Sequence, residues 1–159
     1  MRLDFEGTVL VSVPLQQVWD HLMSPRFVAS CAPGVEGVEA VDSSHYRVTT
    51  LLGIGSVRVR FVMALELADL VPPERGRMVV RGTAPGSVVQ AETTVRLAAD
   101  GPAATRLDWT VHSEVRGTIA STGARLLKGT ARKLTEQFWN AFGERVYEVT
   151  RELPVPSRH

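Results

Sequence analysis

Cysteine is almost missing: among 159 residues only Cys31 carries a thiol. A lone cysteine excludes an internal disulfide, which suits a reducing compartment, and excludes a zinc site built on a cysteine pair. The four histidines, His21, His45, His112 and His159, show no pairwise spacing of three to five, so no metal centre and no cofactor is expected. Aromatic residues make up 6% of the chain and no basic stretch interleaves with them. With a net charge of +1, nucleic-acid binding is not expected. Long apolar runs are also missing. The most apolar stretch, "FVMALELADLV", is broken by Glu66 and Asp69 and falls short of the roughly 18 apolar residues that suggest a membrane span. The N-terminal "MRLDFEGTVLV" carries Asp4 and Glu6 and lacks a signal-peptide pattern. A cytoplasmic protein with at most peripheral membrane contact is the expectation.

What is present is a chain with 44% hydrophobic content, enough to close one core. A single domain over residues 1–151 is expected, followed by a proline-bearing tail over 152–159. Leu3, Phe5, Gly7, Val9, Val11 and Val13 alternate as in a half-buried strand, and Pro14 stops it. Leu15, Val18, Trp19 and Leu22 follow at helical spacing, and Ser24-Pro25 opens a second short helix. From residue 35 to 115 the period is mostly two, and Gly/Pro/Asp clusters mark off about six strands of an antiparallel meander. After Gly117 the period becomes helical. Leu127, Leu134, Phe138, Phe142, Val146 and Val149 form the stripe of one long C-terminal helix.

The first half of that helix is small and the second half bulky. This contrast places any cavity toward the helix N-terminal half, beside Ala120, Gly123, Ala124 and Leu127. The strand faces supply the rest of the expected lining: Val48, Thr50, Val59, Phe61, Met63, Met78, Val80, Ala91, Thr93, Trp109 and Val111, with Tyr46 and Leu52 in phase. Phe27 and Val28, on the second short helix, are candidates for a lid. His112, Arg58, Arg60, Arg96 and Glu92 fall out of phase with the apolar faces and should point to solvent. An apolar interior with a few hydroxyls suits a hydrophobic ligand and does not suit acid–base catalysis. No nucleophile-elbow pattern G-x-S-x-G occurs.

The order of strand, two short helices, six strands and a long helix is that of the START-like (SRPBCC) helix-grip fold, an α+β arrangement. Four stretches carry a closer likeness: "FEGTVLVSVPLQQVWDHLMSP", "CAPGVEGVEAV", "LVPPERGRMVVRGTAPG" and "GTIASTGARLLKGTARKLTEQFW". Through them the chain resembles the G-subunit family of carbon monoxide dehydrogenase. The resemblance implies a non-enzymatic accessory protein for maturation or membrane recruitment of a molybdenum-containing carbon monoxide dehydrogenase or related hydroxylase. A related coenzyme Q-binding branch implies a quinone or another lipid-like ligand. The alternatives are a small cyclase/aromatase-like enzyme of the same superfamily, or a protein-interaction module with a filled core.

Arg125, Lys128 and Arg132 recur at spacings of three and four with Lys133 beside them, a basic helix face that could meet an acidic partner or anionic head groups. In "FVASCAPGV", Pro33 forbids helix continuation and Gly34 permits a tight turn. Cys31, before this breaker, is expected to be small, buried and unreactive near one end of the cavity.

Overall fold

The computed structural model describes residues 1–152, so the expected tail lies, but for its first residue, outside the described residues. Strand β1 (Arg2–Val11) leads through Pro14 into α1 (Leu15–Leu22) and α2 (Pro25–Cys31). Six strands follow: β2 (Val35–Ala40), β3 (His45–Ile54), β4 (Val57–Val71), β5 (Arg75–Ala84), β6 (Ser87–Ala99) and β7 (Thr105–Gly117). A 3-10 helix (Thr118–Thr122) precedes the long α3 (Ala124–Glu152). All neighbours pair antiparallel in one seven-stranded sheet of order β1-β7-β6-β5-β4-β3-β2. This is the helix-grip arrangement.

Local chemistry sets the joints. Ser24 caps α2 by accepting a hydrogen bond from the Phe27 amide at 3.4 Å, and Pro25 occupies the first turn, where its missing N–H costs nothing. At the other end Gly34 adopts φ +74 and its carbonyl accepts from the Leu51 amide at 2.8 Å. A Cβ on residue 34 would collide with the Leu51 carbonyl, so only glycine brings the chain this close to β3.

The last helix starts later than its sequence period suggests. Gly117 and Gly123 adopt φ +93 and +110 and bracket the 3-10 turn, outside the α-helix. The helical-glycine cost therefore falls on Gly129 and Gly143 alone. They are not alike. Gly129 is exposed and a Cβ there would meet nothing within 4 Å. At Gly143 a Cβ would stand 3.2 Å from Val9 Cγ1 and 3.7 Å from Val11 Cγ2, because α3 lies directly on β1.

Two apolar clusters result. The larger joins Val11 and Val13, Val18 and Trp19 of α1, Leu107 and Trp109 of β7, and Trp139, Phe142 and Val146 of α3. The smaller gathers Leu3, Ile54, Phe61, Val115, Ile119 and Leu127 around the start of α3. Outward-facing charges pair at the surface, as with Arg60 Nε and Glu36 at 2.8 Å and His112 Nδ1 and Asp4 at 3.0 Å. Such exposed pairs contribute little to stability.

Gly129→Ala should raise unfolding free energy by about 0.5–1 kcal/mol through helix propensity alone. Gly143→Leu should lower it by about 1–3 kcal/mol by forcing α3 off β1. Urea denaturation of the two variants beside the parent checks both signs.

Candidate functional site

α3 rests mainly against β1 and meets β3 and β4 only at its start, where Leu127 packs with Ile54 and Phe61, so the concave face over the middle of β3–β5 is left unfilled. α1 and α2 roof that space, leaving a cavity of about 380 Å3 between β3–β6, the two short helices and the middle of α3. The size falls within the roughly 300–1,000 Å3 of ordinary small-molecule sites. The interior is not filled by side chains.

Each wall follows from its local sequence. On β4 the regular alternation presents Met63, Leu65 and Leu67. Continued alternation would then point Asp69 inward. Instead the register shifts between Ala68 and Val71, with Asp69 at φ +52 in the left-handed region, and Leu70 joins the wall. Room for Leu70 comes from Gly76 on β5, where a Cβ would sit 2.9 Å from Leu70 Cδ2 and 3.5 Å from the Trp19 ring. Asp69, turned outward, accepts from Arg77 Nε at 2.7 Å. The bulge thus exchanges a carboxylate for a leucine at the wall.

Val48, Thr50, Met63, Met78, Val80, Thr93 and Val111 line the cavity as the strand period predicts, and so do Tyr46, Leu52 and Val28. The remaining expected residues do not. Phe27 turns away from the roof and packs edge-on to Phe142 and His21, at ring distances of 5.9 and 4.8 Å. Trp109 lies over Gly7, whose Cβ would be 2.5 Å from the indole, and stacks behind Trp139 at 5.9 Å. It is Trp139 that reaches the cavity.

The small-residue half of the last helix is likewise no cavity wall. Phe61 and Leu127 are buried in the smaller cluster, with Val59 and Ala120 packed against it. Gly123 and Ala124 are exposed at the junction, and Ala91 is half-buried outside the lining. The cavity sits further along α3, at Leu134, Thr135, Phe138 and Trp139.

From the short helices Leu22, Met23, Pro25 and Ala29 close the roof, with Ala32 and Pro33 beyond α2. A stripe pattern assigns these to core without telling that the core is hollow there.

Tyr46 and Arg77 are the ionisable side chains in the lining. The Tyr46 hydroxyl donates to the Ser43 carbonyl at 3.0 Å. Arg77 is held by Asp69 and by Glu92, the latter at 3.3 Å, and these carboxylates push its pKa upward. Among the described residues no group of three or more His, Cys, Asp and Glu side chains is placed to hold a metal ion. No helix among them is long and apolar enough to cross a membrane.

The family model for the G subunit of carbon monoxide dehydrogenase (CoxG) matches residues 7–147. The chain belongs to the CoxG family. No curated protein matches it. Among solved structures, a conserved protein from Geobacillus kaustophilus is similar at a TM-score of 0.84 and 26% identity, covering 92% of this chain and 96% of the other. The Zhui aromatase/cyclase from a Streptomyces species superposes at a TM-score of 0.71 with 19% identity, covering 96% and 98%. A START superfamily protein from Mycobacterium smegmatis gives 0.71 and 14%, covering 92% and 98%. These last two show the fold alone. In this CoxG-family chain the cavity lies on the β3–β5 side of α3.

Cys31 stands at the end of α2, 6% exposed, and its thiol donates to the Phe27 carbonyl at 3.4 Å. Burial pushes its pKa up, leaving little thiolate near neutrality. A disulfide thiol reagent at pH 8 should therefore label Cys31 slowly in the native protein and rapidly once urea is added; equal rates in both would contradict the burial.

Proposed function

We propose that this protein is a non-enzymatic accessory factor that binds a hydrophobic small molecule, a quinone or another lipid-like compound, in support of a molybdenum-containing carbon monoxide dehydrogenase. The observation that carries the reading is the cavity of about 380 Å3 whose wall is built chiefly from aliphatic, methionine and aromatic side chains, with three threonines and Arg77 among them. Family membership supports the choice of partner enzyme. Acid–base catalysis would need a titratable group free to move a proton at the wall. Tyr46 and Arg77, the candidates there, are both engaged elsewhere.

An unfilled apolar cavity forgoes dispersion contacts on one side of every lining atom, and a ligand restores them. Binding to the native state alone also stabilises it by mass action. Native mass spectrometry of protein purified from its own host should show a co-purified neutral, apolar molecule. Decylubiquinone added to the stripped protein should raise Tm. Val80→Trp, which fills the cavity from β5, should abolish that rise while circular dichroism stays unchanged. No adduct and no Tm shift in the parent protein would overturn the reading.

The partner contact is assigned to the basic face of α3. Arg125 and Lys128 are exposed, whereas the Arg132 guanidinium lies 5.7 Å over the Phe5 ring and has a packing role as well. Arg125→Glu/Lys128→Glu, which leaves that packing intact, should weaken association with the dehydrogenase or with anionic liposomes by about tenfold or more at low salt. Unchanged association with both would remove this face from the proposal.

A further inference from the structure

Among the described residues, fully buried side-chain hydroxyls have partners, with one exception at the cavity. Thr105 donates to the Val13 carbonyl at 2.8 Å, and Ser87 accepts from the Ile119 amide at 2.9 Å. Of the half-buried hydroxyls at the cavity wall, Thr135 donates to the Ala131 carbonyl at 2.7 Å and Tyr46 to that of Ser43, while that of Thr93 makes no side-chain hydrogen bond and keeps some exposure. Thr50, in the middle of β3 and 3% exposed, has no hydrogen-bond partner for its Oγ1. The one other such buried oxygen among the described residues belongs to Thr150, in the last turns of α3 and away from the lining.

An enclosed hydroxyl without a partner destabilises a fold, and valine would fill the same volume without that cost. Valine is what the sequence places at neighbouring wall positions, including Val48 on the same strand and Val80, Val95 and Val111 on others. Thr50 sits across from Phe61 on β4 and Val35 on β2, so its flanking side chains offer no polar atom. The cavity is the open space that it borders. As it stands Oγ1 is shielded from that space; rotation about χ1 cycles Oγ1, Cγ2 and Hβ through the three staggered positions, and one such step turns the O–H toward the cavity.

We propose that Thr50 is the hydrogen-bonding anchor of the ligand, and that the ligand is a neutral apolar molecule carrying a carbonyl or hydroxyl oxygen seated against β3. The inference rests on the apolar-cavity reading above and adds to it a specificity-determining residue. Neutrality follows from the wall: among the described residues its one charged side chain is Arg77, already paired with Asp69 and Glu92, and none of the other described lining residues would compensate a buried charge.

The test uses two probes of matched shape, 2-acetylnaphthalene and 2-isopropenylnaphthalene, which differ in a carbonyl oxygen against a methylene. Affinity is read by calorimetry and by quenching of Trp139, which lines the cavity. The parent protein should prefer the ketone by about 2- to 10-fold, the worth of one net hydrogen bond. Thr50→Val should erase that preference and leave affinity for the hydrocarbon unchanged, while Thr50→Ser keeps it. Unliganded Thr50→Val should melt at or above the parent temperature, since it removes an unpaired polar atom. An equal ketone preference in parent and Thr50→Val, or a clear loss of unliganded stability in that variant, overturns the anchor and leaves the cavity reading standing. Failure of both probes to bind the parent overturns the cavity reading and the anchor with it.

Discussion

The close approach of α3 to β1 governs this structure. At Gly143 the helix has no side chain to hold it off Val9 and Val11, so its second half settles onto the edge strand β1. Trp139, Phe142 and Val146 then lock into the large cluster with Trp109 and α1. Interiors pack densely where surfaces can meet. With its second half committed to β1 and its start to β3 and β4, the helix leaves the middle of β3–β5 uncovered, and that gap is the cavity.

The rest of the site consists of devices that keep the uncovered region apolar without letting it collapse. The bulge at Asp69 removes a carboxylate from the wall and substitutes Leu70, and Gly76 makes the room that Leu70 and Trp19 need. The Pro33-Gly34 joint ends α2 and brings the chain against β3, which sets the short helices as a roof. Cys31 belongs to that joint. Its value is small volume and burial at the helix end, with a thiol kept protonated by its surroundings.

Much of the fold is legible in the periodicities. The β3, β4 and β5 alternation identifies Val48, Thr50, Met63, Met78 and Val80 as inward, and all of them meet the cavity. The same rule marks Val59, Phe61 and Trp109 as inward, and they are, but inward at those places means packed core. Period two determines a face and says nothing about how far a helix stands from it. The contrast of small and bulky halves in "GTIASTGARLLKGTARKLTEQFW" misleads for a related reason. Its glycines at 117 and 123 serve positive-φ turns, so their smallness answers a backbone demand and leaves no empty volume beside the sheet. The bulge is not visible at all, because Asp69 and Leu70 exchange faces through one residue's φ.

By itself, then, the sequence determined the elements, their order, the antiparallel meander and the apolar character of the interior. Those properties depend on local propensity and on spacing along the chain, which a linear string carries in full. Only the tertiary structure decided that the interior is hollow, that the hollow lies over β3–β5 beside the middle of α3, and that the Thr50 hydroxyl is left without a partner there. Each of these depends on distances between residues far apart in sequence: Gly143 to Val9, Leu70 to Gly76, Thr50 to everything that might have bonded it. Such distances are outcomes of packing the whole chain at once, and no single segment encodes them.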